Sequence, residues 1–290
     1  MRTVEGFKDY ELIDADSGER LERWGDIILI RPDPQVIWSG KRQDKRWYSA
    51  NAVYHRSQSG GGYWERLSHV PDVWAIKYDD LTFRLKPMGF KHTGLFPEQA
   101  VNWRLAKELI EKENREIKVL NLFAYTGGAT VACLSAGASV THVDASKGMV
   151  QWAKENAVAS GLDGGNVRWL VDDCLKFVKR EIRRGNKYDA IIMDPPSYGR
   201  GPNGEVWKLE QQLTELLTET GKLLSDNALF FFLNSYTGGL SPTILNYMVK
   251  TYVVKNRKGE VITDEIGLPI TEKGISLPCG NTTIWTEDNG

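Results

Sequence analysis

Acidic and turn-forming residues directly follow four short apolar runs of the sequence, a pattern typical of ligand sites in α/β proteins. The first run leads through Asn121 into two consecutive glycines, Gly127 and Gly128, and the second run ends at Asp144, 17 residues after Gly127. The glycines permit a tight turn and a close approach of the backbone to a ligand. The Asp144 carboxylate can accept hydrogen bonds from both hydroxyls of a ribose. Together these residues predict a site for a nucleoside.

The spacing of the glycines indicates which kind of nucleoside ligand the site could bind. Only Gly127 and Gly128 lie in the turn, and the next glycine is Gly137, so the pattern G-x-G-x-x-G is absent. That pattern is what brings backbone amides onto the pyrophosphate of a dinucleotide. A ligand without phosphates is therefore favoured over the nicotinamide cofactor of a dehydrogenase.

Asp172, Asp173 and Cys174 follow the third run, Val167 to Val171. A carboxylate at this strand end could accept the exocyclic amine of an adenine. Either aspartate could instead cap the helix that follows it, because Asp is a favoured N-cap residue. Both interpretations stay open.

The fourth run, Ala190 to Met193, is followed by Asp194-Pro195-Pro196-Ser197-Tyr198. Two prolines remove two amide donors and leave carbonyl oxygens and the Asp194 carboxylate as acceptors. A carboxylate at the end of a buried strand is costly unless it serves a site or has a partner. With the Tyr198 ring, this acceptor cluster suits a planar nitrogenous substrate.

The motifs Asn121-Leu-Phe-Ala-Tyr-Thr-Gly-Gly, Val143-Asp-Ala-Ser-Lys, Asp172-Asp-Cys and Asp194-Pro-Pro-Ser-Tyr resemble those of class I S-adenosylmethionine-dependent methyltransferases. More narrowly, the set is similar to bacterial 23S ribosomal-RNA methyltransferases that make 5-methylcytosine or 7-methylguanosine. The likeness covers about residues 91 to 252 and begins with Lys91-His-Thr-Gly-Leu-Phe-Pro-Glu-Gln. It implies a doubly wound, Rossmann-like α/β sheet of seven strands in the order 3-2-1-4-5-7-6. Strand 7 would be antiparallel and supplied by the tail, residues 260–290.

The resemblance also assigns roles to residues. It places S-adenosyl-L-methionine, and after the reaction S-adenosyl-L-homocysteine, against Phe96, Gln99, Asn121, Phe123, Ala124, Tyr125, Thr126, Gly127, Asp144, Ala145, Ser146, Lys147, Asp172, Asp173 and Cys174. Asp194, Pro195, Pro196 and Tyr198 would face the transferable methyl group and the acceptor. Because the sulfonium is already activated, alignment does most of the work, and we expect no catalytic triad. The four histidines are scattered without ligand spacing, so we expect no metal.

One departure from the family concerns cysteine. Methylation at cytosine C5 requires a cysteine nucleophile, which the family places beside the fourth motif or at the end of the fifth strand. Those places contain Asp194 to Tyr198 and Asn234 to Tyr236 here, without cysteine. The resemblance therefore disfavours C5 chemistry, and the acceptor atom stays open.

The apolar runs and the segments between them predict the strands and helices that would position these residues. Apolar runs end at or near residues 123, 143, 171, 193 and 233, and helical stretches are predicted at about 128–136, 147–160, 173–184, 205–224 and 242–252. Strands separated by helices indicate right-handed crossovers and a parallel sheet. We predict a catalytic domain over residues 91–290, preceded by a β-rich lobe over residues 1–90 that could bind substrate.

Charge is unevenly distributed along the chain. The 290 residues carry 37 basic and 38 acidic side chains, yet residues 27–90 carry 10 basic and 6 acidic ones, interleaved with aromatic residues. Basic charge with exposed aromatics is how proteins hold backbone phosphates and stack bases, although most of these rings should form the core of the lobe. The resemblance makes RNA the expected partner, and this stretch could bind it; monomer and homodimer are both open.

The remaining alternatives are broader. The longest purely apolar stretch, Ala228 to Leu233, is far too short for a membrane span, and the widely spaced Cys133, Cys174 and Cys279 fit a reducing, cytoplasmic environment. A methyltransferase acting on a protein or small molecule is the first alternative. A nucleotide-binding dehydrogenase or a non-catalytic adenosine-binding module is the alternative from another class.

Overall fold

The computed structural model describes residues 1–57, 61–200 and 206–287, which form two compact units. The first unit consists of Met1–Val101 with Ile266–Cys279, and the second of Asn102–Glu265 with the described part of Gly280–Gly290. The predicted boundary at residue 90 lies within the first unit, and so does the segment 266–279 of the predicted catalytic domain. Separate roles for residues 1–90 and 91–290 stay a prediction.

The first unit is β-rich. Its strands are β1 (Arg2–Thr3), β2 (Tyr10–Asp16), β3 (Glu19–Trp24), β4 (Ile27–Pro32), β5 (Ala52–Arg56), β6 (Gly62–Arg66), β7 (Trp74–Tyr78) and β8 (Leu81–Leu85). Strands β2 to β6 are neighbours in sequence order in one sheet, and β7 and β8 form a separate antiparallel pair. One-turn 3-10 helices cover Lys45–Tyr48 and Pro97–Gln99. The β-rich lobe predicted from the sequence is confirmed.

Aromatic side chains form much of the core of this unit, as expected. Trp24, Trp47 and Tyr54 are buried, whereas Tyr48 and Tyr63 stay exposed. The strands β2 and β3 escape the sequence patterns because buried charges interrupt their apolar residues. Glu22, fully buried in β3, accepts hydrogen bonds from both Arg31 at 2.6 Å and Tyr10 at 2.8 Å.

Strands and helices alternate from α1 onward. They are α1 (Ala100–Glu111), β9 (Lys118–Leu122), α2 (Gly128–Ser135), β10 (Ser139–Asp144), α3 (Lys147–Ala159), β11 (Val167–Val171), α4 (Cys174–Arg184), β12 (Ala190–Met193), β13 (Tyr198–Arg200), β14 (Val206–Lys208), α5 (Leu209–Gly221), β15 (Phe230–Ser235), α6 (Pro242–Val249), β16 (Glu260–Ile270) and β17 (Ile275–Thr286). A π-helical turn, Lys250–Val254, extends α6.

The sheet of the second unit has the strand order β11-β10-β9-β12-β15-β17-β16. Strands β11, β10, β9, β12 and β15 are mutually parallel, and β17 runs antiparallel to β15. This is the order 3-2-1-4-5-7-6 with an antiparallel strand 7, so the predicted doubly wound fold is confirmed. β12 and β15 are buried along their whole length, as apolar strands covered on both faces should be.

One predicted element is wrong at its start. The helix predicted over 205–224 begins only at Leu209, and Val206–Lys208 instead pair with Tyr198–Arg200 as an antiparallel hairpin. Residue 205 lies outside the described residues. From Leu209 onward the prediction is correct, and Leu209, Leu213 and Leu216 are buried. Within the described ranges, no helix is long and apolar enough to cross a bilayer.

Candidate active site

Parallel pairing brings the four sequence motifs to one edge of the sheet. The last residues of β9, β10 and β12 stand side by side, because Leu122 pairs with both Val143 and Met193. Backbone hydrogen bonds then continue beyond the strands, from Asp172 N to Asp144 O at 3.0 Å and from Asp194 N to Leu122 O at 3.4 Å. Carboxyl ends of parallel strands are where open α/β sheets bind ligands.

The loop that follows β9, Phe123–Gly127, has an unusual backbone; we call it the glycine loop. Phe123, Tyr125 and Gly127 have φ values of 54°, 51° and 82°. Such left-handed conformations are uncommon for residues with a side chain and cluster at functional sites. The loop is held in place by hydrogen bonds from Phe123 N to the Cys174 thiol sulfur at 3.2 Å and from Gly127 N to Ala124 O at 2.9 Å.

Asp144 joins the glycine loop to the next loop. Its Oδ2 accepts the backbone N–H of Tyr125 at 2.9 Å, and its Oδ1 accepts that of Ser146 at 2.8 Å. Burial raises the pKa of the Asp144 carboxyl, and the two backbone hydrogen bonds oppose that rise. Because an ionised carboxylate offers about four acceptor positions, two remain for a ligand. A ribose with two hydroxyl donors matches that capacity.

Hydrogen bonds of Asn121 and Thr126 support the glycine loop. The buried Asn121 donates from Nδ2 to Thr130 Oγ1 at 2.9 Å, and Thr130 Oγ1 in turn bonds His142 Nδ1 at 2.9 Å. The carbonyl of Thr126 accepts Asn156 Nδ2 at 2.8 Å. Burial lowers the pKa of His142 to about 3, so this imidazole is neutral at physiological pH. These hydrogen bonds hold the turn in place. Direct cofactor contact by Asn121 stays a prediction.

Close packing explains both glycines of the turn. A Cβ on Gly127 would lie 2.8 Å from the Ala153 Cβ, and one on Gly128 would lie 2.5 Å from the Trp103 ring. Both distances are shorter than real Cβ contacts. The glycines therefore let α3 and α1 approach the turn, in addition to any room they leave for a ligand.

The acidic pair after β11 already has local partners. Asp173 caps α4 by accepting Lys176 N at 2.8 Å, and the Asp172 carboxylate is bonded to Arg180. Cys174 is buried, and burial raises the pKa of its thiol. Asp173 thus has the capping role that the sequence left open. Contact of either aspartate with an adenine stays a prediction.

Asp194–Ser197, which we call the acceptor loop, leads from β12 into the hairpin β13–β14. Asp194 is half-buried, Pro195 is buried and Pro196 is exposed. Ser197 Oγ lies 2.6 Å from Thr237 Oγ1 beyond β15. Tyr198, 51% exposed, begins β13.

The other predicted residues lie in two places. Ala145, Ser146 and Lys147 are exposed where β10 leads into α3; Ser146 caps the helix and Lys147 is its first residue. Phe96 and Gln99 belong to the first unit, at the 3-10 helix Pro97–Gln99. Their proposed approach to the cofactor stays a prediction.

Two residues near the acceptor loop were missed from the sequence. Trp207 donates from Nε1 to the Pro196 carbonyl at 2.6 Å, and Thr237 meets Ser197 as described. Trp207 could have been found only by recognising a strand before α5. Thr237 carries no sequence signal beyond following the fifth strand.

The strand order, the antiparallel seventh strand and an acidic residue at the end of the second strand define a class I methyltransferase architecture. Residues 48–232 match the S-adenosylmethionine-dependent methyltransferase family. The chain belongs to this family of enzymes, whose methyl donor is S-adenosylmethionine.

Individual relatives agree with that family. The "Ribosomal RNA large subunit methyltransferase K/L" of Shewanella frigidimarina is 36% identical over 252 residues, which are 80% of this chain and 35% of the relative. The protein of the same name from Colwellia psychrerythraea is 29% identical over 180 residues, 61% of this chain and 24% of the relative. The chain thus spans about a third or less of the length of these curated relatives.

A solved structure matches nearly the whole chain. The "SAM Dependent Methyltransferase" of Agrobacterium tumefaciens superposes with a TM-score of 0.93 at 35% identity, covering 98% of this chain and 92% of that one. A Streptococcus mutans chain at 20% identity and a TM-score of 0.74, covering 97% of this chain and 76% of that one, shows the same fold.

Proposed function

We propose that this protein transfers the methyl group of S-adenosylmethionine to a base in structured RNA, with ribosomal RNA as the substrate class. The observation that carries the proposal is the 36% identity over 80% of the chain to a relative named as a large-subunit ribosomal RNA methyltransferase. The four motifs at one edge of the sheet supply the place where that chemistry would occur.

The residues present fit the cofactor. Asp144 retains acceptor capacity for the ribose hydroxyls, and the glycine loop would hold the methionine portion. Ala145, Ser146 and Lys147 would line the ribose side, with Asp172 or Asp173 beside the adenine. Contacts of Phe96 and Gln99 with the cofactor, which the resemblance implies, are part of the same proposal. When bound, the cofactor supplies a sulfonium-activated methyl group, and no metal is needed.

Asp194, Pro195, Pro196 and Tyr198 would face the acceptor base. Their task is alignment of the acceptor atom with the methyl group, which is a large part of such a barrier. C5 chemistry is disfavoured, because neither Asp194–Tyr198 nor Asn234–Tyr236 contains the cysteine that the resemblance places there. Burial also raises the pKa of the thiols that are present, Cys133, Cys174 and Cys279. We therefore propose an acceptor atom that needs no covalent enzyme adduct.

The first unit offers a surface that suits RNA. In the 3-10 helix Lys45–Tyr48, Trp47 is buried with its Nε1 bonded to Asp14 at 2.8 Å, while Lys45 is exposed and Tyr48 is 81% exposed. Residues three apart share a face of a 3-10 helix, so a cation and an aromatic ring lie together on a fixed turn. Such pairs stack bases and attract phosphates.

Labelled cofactor incubated separately with RNA, protein and metabolite pools tests the proposal. We expect label in RNA, and mass analysis of the product nucleoside then identifies the acceptor atom. Tyr48→Ala should raise the KM for RNA several-fold, whereas Tyr63→Ala, at an exposed ring beside the His55–Glu65 pair, should not. Label confined to the protein or metabolite pool would refute an RNA substrate.

A further inference from the structure

Trp207 links two of the loops at the carboxyl edge of the sheet. Its indole Nε1 donates to the carbonyl of Pro196 in the acceptor loop at 2.6 Å. Its ring centroid lies 5.6 Å from that of Phe123 in the glycine loop. We propose that Trp207 is a positioning residue for methyl transfer, which holds the acceptor loop in register with the glycine loop.

The double proline makes an outside donor important. Pro195 and Pro196 have no backbone N–H, so neither can anchor the acceptor loop by donating a main-chain hydrogen bond. The Pro196 carbonyl does accept a hydrogen bond from another element, and Trp207 supplies it. Around this bond, Leu209 N donates to Ser197 O at 3.1 Å, and Ser197 Oγ meets Thr237.

The hairpin register separates Trp207 from Tyr198. Trp207 pairs with Gly199, and Tyr198 pairs with Lys208. Successive pairs of an antiparallel ladder project to opposite faces. The face of the hairpin that carries Trp207 is therefore the one against Phe123 and Pro196, and its role is distinct from the one proposed for Tyr198.

Phe123 makes the contact sensitive to loop geometry. It holds a left-handed φ of 54° and donates its N–H to the Cys174 sulfur. Phe123 contacts Trp207, and Trp207 is bonded to Pro196, so a shift of the glycine loop would also move the Pro196 carbonyl. Methyl transfer requires the acceptor, the methyl and the sulfur in line, and a misplacement of about 1 Å can cost about 100-fold in rate.

Two substitutions separate the hydrogen bond from the ring contact. Trp207→Phe keeps an aromatic ring and removes the N–H, and Trp207→Leu removes both. Trp74→Phe is the matched control, because Trp74 is also half-buried and also donates its Nε1 to a backbone carbonyl, that of Trp24 at 3.1 Å. We expect kcat to fall about tenfold in Trp207→Phe and further in Trp207→Leu, with the KM for RNA and the Kd for S-adenosylhomocysteine within twofold. Trp74→Phe should keep all three values.

Hydrogen exchange gives a readout that needs no substrate. Peptides covering Asp194–Gly199 should exchange faster in Trp207→Phe than in the wild type and in Trp74→Phe. The inference about kcat rests on the proposed RNA substrate. If the wild type labels no RNA, that substrate is wrong, and exchange alone decides on Trp207. Unchanged protection of Asp194–Gly199 would overturn the positioning role, and so would parallel losses of kcat, cofactor affinity and thermal stability.

Discussion

Tyr125 donates its backbone N–H to the Asp144 carboxylate at 2.9 Å, and this bond ties the glycine loop to the end of β10. Tyr125 has a φ of 51°, a conformation that an isolated residue avoids. The carboxylate compensates for that strain, since hydrogen bonds to charged groups are the stronger ones. Asp144 therefore shapes the loop as well as offering acceptors to a ribose.

Replacing Asp144 by Asn should weaken binding of S-adenosylhomocysteine about 100-fold. The amide carries no charge, and its N–H₂ group would face a backbone N–H donor. Loss of two charge-assisted hydrogen bonds to the ribose, at about 1.5 kcal/mol each, corresponds to an affinity loss of about 100-fold. Calorimetric titration measures it. Asp163→Asn, at an exposed aspartate, is the control. Wild-type affinity in Asp144→Asn would contradict the proposed ribose contact.

Gly127→Ala should destabilise the protein by about 2 kcal/mol more than Gly137→Ala. Both glycines have left-handed φ values, 82° and 85°, so both variants incur similar backbone strain. Only Gly127 would place a methyl group 2.8 Å from Ala153, and overpacking typically costs about 1–3 kcal/mol. Urea unfolding compares the two variants, and equal losses would show that packing against Ala153 is unimportant.

Asp173→Ala should lower the free energy of unfolding by about 1 kcal/mol, whereas Asp173→Asn should restore it. The carboxylate caps α4 through Lys176 N at 2.8 Å, and Asn caps a helix about as well as Asp. Thermal and urea unfolding of both variants provide the measurement. A large loss in Asp173→Asn would point to the charge instead of the cap.

Acid should destabilise the first unit through Glu22. Burial opposes ionisation, yet the neighbouring Arg31 and Arg20 lower the pKa of Glu22 to about 2 from an ordinary 4.5. Its stabilising contribution is therefore complete above about pH 4.5 and is lost as the pH falls towards 2. Glu22→Gln should lose about 3 kcal/mol at neutral pH and show a weaker pH dependence in that window.

The surface pair of Glu19 and Arg42 is the control for this prediction. Its side chains are 29% and 31% exposed, and such pairs contribute at most about 1 kcal/mol. Glu19→Gln should therefore follow the wild-type curve of unfolding free energy against pH. If Glu22→Gln follows that curve as well, the buried charge cluster does not govern acid stability.

The sequence predicted the strand ends and the sheet order because apolar runs and a recognisable set of motifs encode them. It did not predict β2 and β3, where a buried ion pair such as that of Glu22 and Arg31 takes the place of apolar residues. It also extended α5 over Trp207, because Lys208 at the N-cap position is not a capping residue and does not mark the start of the helix. The left-handed Phe123 and Tyr125 could not be foreseen either, since neither residue type favours that conformation and neighbouring bonds impose it.

The tail divides its residues between the two units, with Ile266–Cys279 in the first and Gly280–Thr286 in the second. Ile270 pairs with Leu12, and Gly267 pairs with Thr3, so the amino-terminal strands of the first unit take their partners from near the other end of the chain. During synthesis at about 5–20 residues per second, neither unit can complete its sheet until β16 and β17 have left the ribosome. A nascent chain stalled before β16 should therefore remain sensitive to protease in both units.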